Sequence, residues 1–411
     1  MDIITLKKKV LDKYKPDSSL KKKAQAFMSL LQKSLDKQNI IAQVTLGGSL
    51  AKNTYLQNDF DADIFVRFDM RYDDAQLSQL LFQTLTSVSI PYEKVHGSRD
   101  YAQLTHESIS YEIIPVCKIT KPSQARNVTD MSFMHVTWVN EHTANTSLCD
   151  EIRLLKVFCK AQRIYGAESY IGGFSGHILD ILVIHYGGFL EVLEASQHWK
   201  KKEVIDVQNH YNGKNIRINP SKIEMSPLII IDPILALRNA SAALTQDKYI
   251  LFRKCAKAFL QNPSITFFTK SPLRITNPKG SVCKIELFPL DGKKDVVGAK
   301  LKKVVEYIRK TLVKNEFTVF DYCWEWDTKN QAVAFFDCDT TLLSKEQIIK
   351  GPPLTLTHRV ESFQKVHTNT YTQNNTIYAL KKRAYRDSHS CLKAILKHDY
   401  VIEKVEKIVI K

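Results

Sequence analysis

Two neighbouring stretches, Leu46-Gly47-Gly48-Ser49-Leu50-Ala51-Lys52 and Asp61-Ala62-Asp63-Ile64-Phe65-Val66-Arg67-Phe68, decide the fold of this chain. The second predicts a β-strand, because Ile64, Val66 and Phe68 alternate with residues of the opposite face. Asp61 and Asp63 then project from that opposite face, about one pleat repeat apart. Like charges at that spacing repel each other unless a cation lies between them, so the strand predicts a divalent-ion site.

The first stretch predicts a phosphate site beside this strand. The apolar run over residues 40–46 predicts a strand that leads into the glycine pair, with a helix or turn over residues 49–55 behind it. Glycine lets the backbone approach a phosphate closely, Ser49 adds a hydroxyl, and Lys52 adds a cation one helical turn further on. Together the two stretches indicate metal-dependent nucleotide transfer.

A third acid stands in the apolar segment Tyr111-Glu112-Ile113-Ile114-Pro115-Val116, which predicts a strand ended by its proline. A carboxylate among apolar neighbours must pair, become protonated or bind a metal to offset its desolvation. Glu112 is therefore predicted as a third metal ligand. The alternative is a glutamate on an edge strand that faces water.

The composition favours a polyanionic partner. The chain has 411 residues, 44% of them hydrophobic, and 59 Lys and Arg against 43 Asp and Glu give a net charge of +16. Solubility is the simpler explanation of that charge. We expect no membrane partner, because no apolar run is long enough for a span and the N-terminus lacks a signal-peptide pattern. The eight cysteines show no metal-ligand spacing, which predicts reduced thiols and a cytoplasmic protein.

Two helices are predicted after these strands. The first begins at Ser147 and presents its basic side chains on one face, either as a cationic stripe or as an ordinary solvated face; they are Arg153, Lys156, Lys160 and Arg163. The second is strongly apolar and covers residues 177–193, and its histidines, His177 and His185, are predicted to be packed or capping residues rather than ligands, with no cluster of partners around them. Asn212-Gly213 predicts the turn of a hairpin between residues 205–207 and 216–218.

The last third of the chain is predicted to form a separate part. Asn262-Pro263-Ser264 marks a domain boundary, and Gly351-Pro352-Pro353 precedes a segment in which basic and aromatic residues interleave. Such interleaving suits phosphate contacts and base stacking, although solvated strands carry the same pattern. We interpret the segment as RNA-binding; its residues are His358, Arg359, Lys365, Tyr371, Tyr378, Lys381, Lys382, Arg383, Tyr385 and Arg386.

The order Gly48-Ser49, then Asp61-x-Asp63, then a strand acid at Glu112 resembles the nucleotidyltransferase superfamily that includes polymerase beta. More narrowly, the chain resembles the archaeal, class I CCA-adding tRNA nucleotidyltransferases over residues 40–270. The further motifs that carry this resemblance are Glu151-Ile152-Arg153-Leu154-Leu155-Lys156, Tyr165-Gly166-Ala167-Glu168, Gly172-Gly173-Phe174-Ser175-Gly176, Asp232-Pro233 with Arg238-Asn239, and Asn262-Pro263-Ser264 with Phe267-Phe268.

The resemblance implies roles for individual residues. Asp61 and Asp63 would bind two Mg²⁺ ions, and Glu112 stands where the family usually has the shorter aspartate. His135 aligns with a nucleotide-contacting histidine, although Ser132-Phe133 departs from the family's Thr-Pro pair, and Arg238 aligns with the arginine that recognises C or A together with the tRNA backbone. The remaining nucleotide contacts would be Gly48, Ser49, Lys52, Lys156 and Tyr165. Lys52 stands where the family commonly has an arginine, and its ammonium presents a single point charge rather than the paired N–H donors of a guanidinium.

The implied fold class is an α+β multidomain chain. It comprises a polymerase-beta-like nucleotidyltransferase head with a mixed sheet and flanking helices, a helical neck, and an α+β body and tail. The expected boundaries are 1–140 for the catalytic head, 141–260 for the neck that completes the nucleotide pocket, 261–300 and 355–411 for a tRNA-binding body, and 301–354 for a tRNA-binding tail.

The implied reaction is the template-independent addition of C, C and A to the 3′ end of tRNA from CTP and ATP, by two-metal nucleotidyl transfer with release of pyrophosphate. Two alternatives stay open: another RNA nucleotidyltransferase that adds A or U tails, and a tRNA-binding relative whose head has lost activity. The expected partners are tRNA, CTP and ATP, and not DNA. The oligomeric state is left open, a homodimer included.

Overall fold

The structure is a computed structural model that describes residues 2–16, 19–57, 59–212, 216–219 and 223–411. The chain divides into two compact units, residues 1–271 and 272–411. Among the described residues, none of the helices is both long and apolar enough to span a membrane.

A five-stranded mixed sheet organises the first part of unit one. Its strand order is β1-β2-β5-β4-β3, and only the β2–β5 pair is parallel. The strands are β1 (Ala42–Leu46), β2 (Ala62–Phe68), β3 (Glu93–Val95), β4 (Tyr101–His106) and β5 (Ile109–Cys117). The predicted alternation in β2 is confirmed, since Ile64, Val66 and Phe68 are buried in the same core as Phe27 and Leu81 of two covering helices. These helices are α2 (Ser19–Lys37) and α4 (Asp74–Ser87), preceded by α1 (Ile3–Tyr14).

β5 continues through Pro115, so the prediction that this proline ends the strand is wrong. The pairing of β5 with β4 covers only residues 109–113, whereas its pairing with β2 covers residues 111–117. A proline has no N–H to donate, and it is tolerated here because the ladder with β4 has already ended.

A helical layer completes unit one. Its core is rich in phenylalanine, with Phe158, Phe174, Phe189, Phe252 and Phe259 all fully buried. The helices are α5 (Ser132–Thr143), α6 (Leu148–Ala161), α7 (Gly176–Tyr186), α8 (Phe189–His198) and the helix Gln246–Gln261.

Two sequence predictions about this layer are wrong. The single helix expected over residues 177–193 is broken, because Gly187 takes φ = 95° and ends α7 with a left-handed residue. The hairpin is replaced by a parallel pair, β6 (Glu203–Ile205) with β7 (Leu228–Ile230). Gly213, the second residue of the expected turn, lies outside the described residues.

Helix α6 does not present a cationic stripe to solvent, because Arg153 is buried against the loop that follows the glycine turn. Its Nε donates to the Tyr55 carbonyl at 3.0 Å, and its Nη2 donates to the Asn53 carbonyl at 2.6 Å. Its Nη1 forms an ion pair with Asp150 at 2.6 Å. The basic face of the helix therefore fastens α6 to the sheet-bearing part of unit one.

Replacing Arg153 with methionine is expected to lower the free energy of unfolding by about 3 kcal/mol, because four hydrogen-bond acceptors lose a buried charged donor. Urea denaturation measures this loss. Lys160→Met is the matched control on the same helix, since its ion pair with Asp59 is 2.9 Å long but partly exposed to solvent and should contribute about 1 kcal/mol or less. Equal losses in the two variants would contradict a fastening role for Arg153.

Unit two contains two antiparallel sheets, one of order β14-β8-β10-β9 and one of order β11-β13-β12. The first packs under the helix Lys294–Lys314, and the helix Thr357–Val366 lies against β11 of the second. The strands are β8 (Ser281–Phe288), β9 (Val319–Trp326), β10 (Ala332–Cys338), β11 (Glu346–Pro353), β12 (Thr370–Gln373), β13 (Thr376–Lys382) and β14 (Lys407–Ile410). Tyr371 and Tyr378 of the basic, aromatic segment are register partners with stacked rings 5.5 Å apart.

Candidate active site

The glycine turn brings backbone directly against a predicted catalytic acid. β1 ends at Leu46, the Gly47 N–H donates to the Asp63 carbonyl at 2.8 Å, and Gly48 begins the short helix α3 (Gly48–Ala51) with φ = 51°. A Cβ at Gly48 would lie 1.6 Å from Oδ2 of Asp63. Only glycine fits, because this position needs both a left-handed conformation and the space of a missing side chain.

The three predicted acids lie on or directly before two neighbouring interior strands of the sheet, β2 and β5. Asp63 of β2 is the register partner of Glu112 in the parallel strand β5, and exposed Asp61 directly precedes β2. Burial, then the charges of Glu112 and Asp61, raise the pKa of Asp63 to about 7, while Lys52 opposes the shift. A bound cation would reverse this shift, and carboxylate oxygens are the donors that Mg²⁺ prefers. The residues present therefore fit a divalent ion.

Glu112 lies on the central strand of the sheet, so the alternative of an edge-strand glutamate is wrong. Gln103 of β4 is its register partner, and Gln103 Nε2 donates to Glu112 Oε1 at 2.6 Å. Strand β4 thus restrains the Glu112 side chain from the side opposite to β2, the strand that carries Asp63. Its role as a ligand stays a prediction.

Two lysines predicted to contact phosphate converge on a single buried carboxylate. Lys52 Nζ lies 2.8 Å from Oδ2 of Asp180, and Lys156 Nζ lies 3.5 Å from its Oδ1. Lys156 also donates to the hydroxyl of Thr54 at 2.8 Å. Burial lowers the pKa of Lys156 to about 8, and the Asp180 carboxylate opposes that shift. Burial alone would raise the pKa of Asp180, but the two lysine charges hold it well below its usual range.

Tyr165 borders the same lysines. A Cβ at Gly176 would lie 3.0 Å from the Tyr165 hydroxyl and 3.9 Å from Lys156 Nζ, so both polar groups face the start of α7. Burial raises the pKa of Tyr165, which keeps its hydroxyl protonated and able to donate. Ser49 lies half-buried on α3, shortly before Lys52 in the sequence.

The predicted base-contacting residues, His135 and Arg238, share one buried acid, Asp232. His135 Nε2 lies 2.9 Å from Asp232 Oδ1, and Arg238 Nη1 lies 2.9 Å from Oδ2. The backbone N–H groups of Ile234 and Leu235 also donate to Asp232. Burial alone would raise the pKa of Asp232, but the hydrogen bond from His135 and the charges nearby lower it. The acid stays ionised. Arg238 is thereby held with 39% of its side chain exposed.

His177 lies inside this cluster, so the prediction that no partners surround it is wrong. Its ring is 4.5 Å from that of His135, and its Nδ1 is 3.4 Å from Lys52 Nζ. Burial lowers the pKa of His177 to about 4, so the ring is neutral. Exposed His185 is outside the cluster.

Among the described residues, one three-residue group places its metal-binding atoms within 4.8 Å of one another, and it is His135, His177 and Asp232 rather than the three predicted acids. Lys52 contacts His177, and Arg238 contacts Asp232. Two cations border the group and oppose a metal ion there. The hydrogen bonds instead indicate a group that positions Arg238.

Domain profiles cover most of the chain. A nucleotidyltransferase domain matches residues 28–119, the second domain of tRNA nucleotidyltransferase matches residues 150–269, and the C-terminal domain of CCA-adding enzyme matches residues 286–407. Solved structures with the same fold include a cytoplasmic RNA terminal U-transferase, at a TM-score of 0.52 and 15% identity over 66% of this chain and 98% of that one. The Cid1 poly(U) polymerase with Mg and 3′-dATP bound also has a TM-score of 0.52, at 15% identity over 65% of this chain and 98% of that one. The polymerase-beta-like, mixed-sheet fold class is confirmed.

Relatives of the whole chain are CCA-adding enzymes from archaea. The enzyme of Methanocaldococcus jannaschii is 29% identical over 84% of this chain and 79% of its own length. That of Saccharolobus solfataricus is 28% identical over 97% of this chain and 94% of its own length. The enzyme of Nanoarchaeum equitans is 31% identical over 91% of this chain and 92% of its own length. Because this agreement runs through all three profile regions, the chain belongs to the family of archaeal CCA-adding enzymes.

Proposed function

We propose that this protein adds C, C and A to the 3′ end of tRNA from CTP and ATP, releasing pyrophosphate at each step. The observation that carries the proposal is the placement of the acids of β2 and β5 in one unit with a lysine pair and an anchored arginine. The acids suit metal binding at the reacting atoms, and the lysine pair suits the triphosphate. The arginine suits recognition of the base. No template strand is needed, because the base contacts come from the protein itself.

The three acids would hold the metal. Asp61 and Asp63 would share two Mg²⁺ ions and Glu112 would hold one of them. When bound, the ions would lower the pKa of the tRNA 3′-hydroxyl and neutralise charge on the departing pyrophosphate. Gly48 keeps Asp63 in place by leaving room for its carboxylate. Gln103 restrains Glu112 by donating to Oε1.

The phosphate-binding residues hold the nucleotide in line for attack. Lys52 and Lys156 offer two charges to the triphosphate, Tyr165 offers a hydroxyl donor, and Ser49 and Gly48 border its path from the glycine turn. Because both lysines are almost fully buried, their charges act at low local dielectric and attract phosphate strongly.

The assay that tests the proposal incubates the protein with a tRNA lacking its 3′ CCA and sequences the products. Added CCA supports the proposal, whereas runs of A or U would favour a tailing enzyme and no addition would favour an inactive tRNA-binding relative. We expect no addition to a DNA acceptor of the same sequence. Size-exclusion chromatography with light scattering tests the homodimer.

Unit two is proposed to bind tRNA through its basic and aromatic segment, and the boundaries of neck, body and tail given above are part of the proposal. Stacked Tyr371 and Tyr378 suit an RNA base or ribose, and neighbouring lysines suit phosphates. We further propose a cytoplasmic location, which the eight free thiols support.

Arg238→Ala is expected to change the choice between C and A while tRNA affinity changes less than about twofold. The guanidinium is anchored to Asp232 and presents its exposed part to the nucleotide, so its loss removes base contacts of about 1–3 kcal/mol without removing the RNA-binding surface. Competition between CTP and ATP in single-turnover incorporation measures selectivity. Identical losses for CTP and ATP would indicate that Arg238 is only structural.

A further inference from the structure

Asp180 is a buried carboxylate that does not belong to the residues predicted from sequence to bind metal or nucleotide. It lies in α7 with 1% of its surface exposed and contacts Lys52 on the glycine-turn side and Lys156 on α6. We propose that Asp180 is a positioning residue, which keeps Lys156 charged and holds it at a fixed separation from Lys52 for the triphosphate of the incoming nucleotide. The inference rests on the proposed function, since it takes both lysines as phosphate contacts.

The surroundings of Lys156 show why a carboxylate is needed. Its other polar partners are the carbonyl and hydroxyl of Thr54, which are neutral. The charged groups that act on it are Asp180, which favours the protonated form, and Lys52 and Arg153, which disfavour it. A buried ammonium beside two cations would lose its proton without the acid. The other titratable neighbours of Asp180, His177 and Tyr165, are neutral and cannot replace that charge.

Asp180 also leaves a net charge for the ligand. One carboxylate faces two ammonium groups, so the cluster keeps one positive charge that a phosphate can neutralise. A second carboxylate here would cancel that charge, whereas a neutral residue would leave the two lysines to repel each other. The arrangement therefore combines fixed lysine positions with remaining attraction for phosphate.

Asp180→Asn tests the proposal through the pH dependence of CTP incorporation into tRNA lacking its 3′ CCA, between pH 6 and 9 at saturating Mg²⁺. In the wild type, kcat/KM should fall above about pH 8, where Lys156 loses its proton. In the variant this descending limb should move down by about one pH unit or more, and KM for CTP at pH 8 should rise about tenfold, with a smaller change in kcat. Titration of Asp63 can be distinguished from that of Lys156, because an acid that must lose its proton gives an ascending limb of the pH profile.

Glu151→Gln is the matched control, since Glu151 is also a largely buried acid paired with a lysine, Lys7, but lies outside this cluster. It should leave the descending limb unchanged. Adding Lys156→Arg to Asp180→Asn should restore activity at high pH, because arginine stays protonated. Lys156→Arg alone should remove the wild-type limb, which keeps the test available if Asp180→Asn does not fold.

Two results would overturn the role of Asp180: a pH profile of Asp180→Asn that runs parallel to the wild type, or a descending limb that persists in Lys156→Arg. Either result leaves CCA addition by the wild type intact. The absence of any C or A incorporation by the wild type would instead overturn the proposed function.

Discussion

Asp63→Asn is expected to reduce nucleotide incorporation by about 10³-fold or more while tRNA affinity changes less than about twofold. Asp63 is the acid that contacts the glycine turn and pairs with the strand position of Glu112, so it is the proposed ligand with the most constrained position. Loss of such a ligand removes several kcal/mol of transition-state stabilisation, and each 1.36 kcal/mol is about tenfold in rate. Single-turnover incorporation and filter binding of labelled tRNA measure the two effects.

Asp69→Asn is the matched control, because Asp69 directly follows the same strand and forms an exposed ion pair with Arg71. It should retain the wild-type rate within about twofold. Turnover by Asp63→Asn at a rate close to the wild type would remove the central residue of the proposed site.

Asp63→Asn has a second expected effect, on the stability of the metal-free protein in EDTA. The pKa of Asp63 is raised to about 7 in the folded protein, against an ordinary value near 4 in the unfolded chain. Between these values only the folded state holds the proton, so stability falls as pH rises from about 4 to 7. Asp63→Asn removes this dependence and should melt at a higher temperature than the wild type at pH 8. An equal or lower melting temperature would contradict the proposed crowding of acids.

The part of the site that could be predicted from sequence is the part encoded by local pattern. Alternation placed Asp63 opposite the core face of β2, and a lone acid among apolar residues identified Glu112. The same signal marks Asp180, which is the only acid in the apolar helix α7. A single charge in an apolar segment is therefore a signal that deserves equal weight wherever it occurs.

What local pattern could not provide is the partner of each face. Arg153 and Lys156 share a helical face that looks solvated from sequence, yet both are buried against the loop at residues 53–55. His177 looked like a packing residue because its neighbours in sequence are apolar, whereas its neighbours in space are Lys52 and His135. Contacts between residues far apart in the sequence depend on tertiary packing, which periodicity does not encode.

Two backbone features, at Pro115 and Gly187, could not be predicted from local sequence for the same reason. Pro115 ends a strand by local rules, but here it falls where pairing with β4 has already stopped. Gly187 interrupts an apolar run that otherwise continues into α8, and periodicity alone does not predict this break, because a glycine within a helix is tolerated at modest cost.

Gly48→Ala is expected to reduce incorporation by about 10²-fold or more, although no charged group is removed. The added Cβ would meet the carboxylate of Asp63 at 1.6 Å, so either the glycine turn or the acid must move by an ångström or more. A displacement of that size at a reacting centre costs about 10²-fold in rate. The residue also has φ = 51°, so some stability should be lost through backbone strain.

Gly187→Ala separates the two causes. Gly187 has φ = 95° at the end of α7, and a Cβ there would meet nothing within 4 Å, so its replacement adds strain without a clash. We expect it to lower the free energy of unfolding by about 1 kcal/mol and to leave kcat for incorporation unchanged. If Gly48→Ala loses as much stability as Gly187→Ala but keeps the wild-type rate of incorporation, the close approach of the turn to Asp63 does not position the acid. If instead the rate falls about 10²-fold while the loss of stability stays similar to that of Gly187→Ala, Gly48 is needed for catalysis.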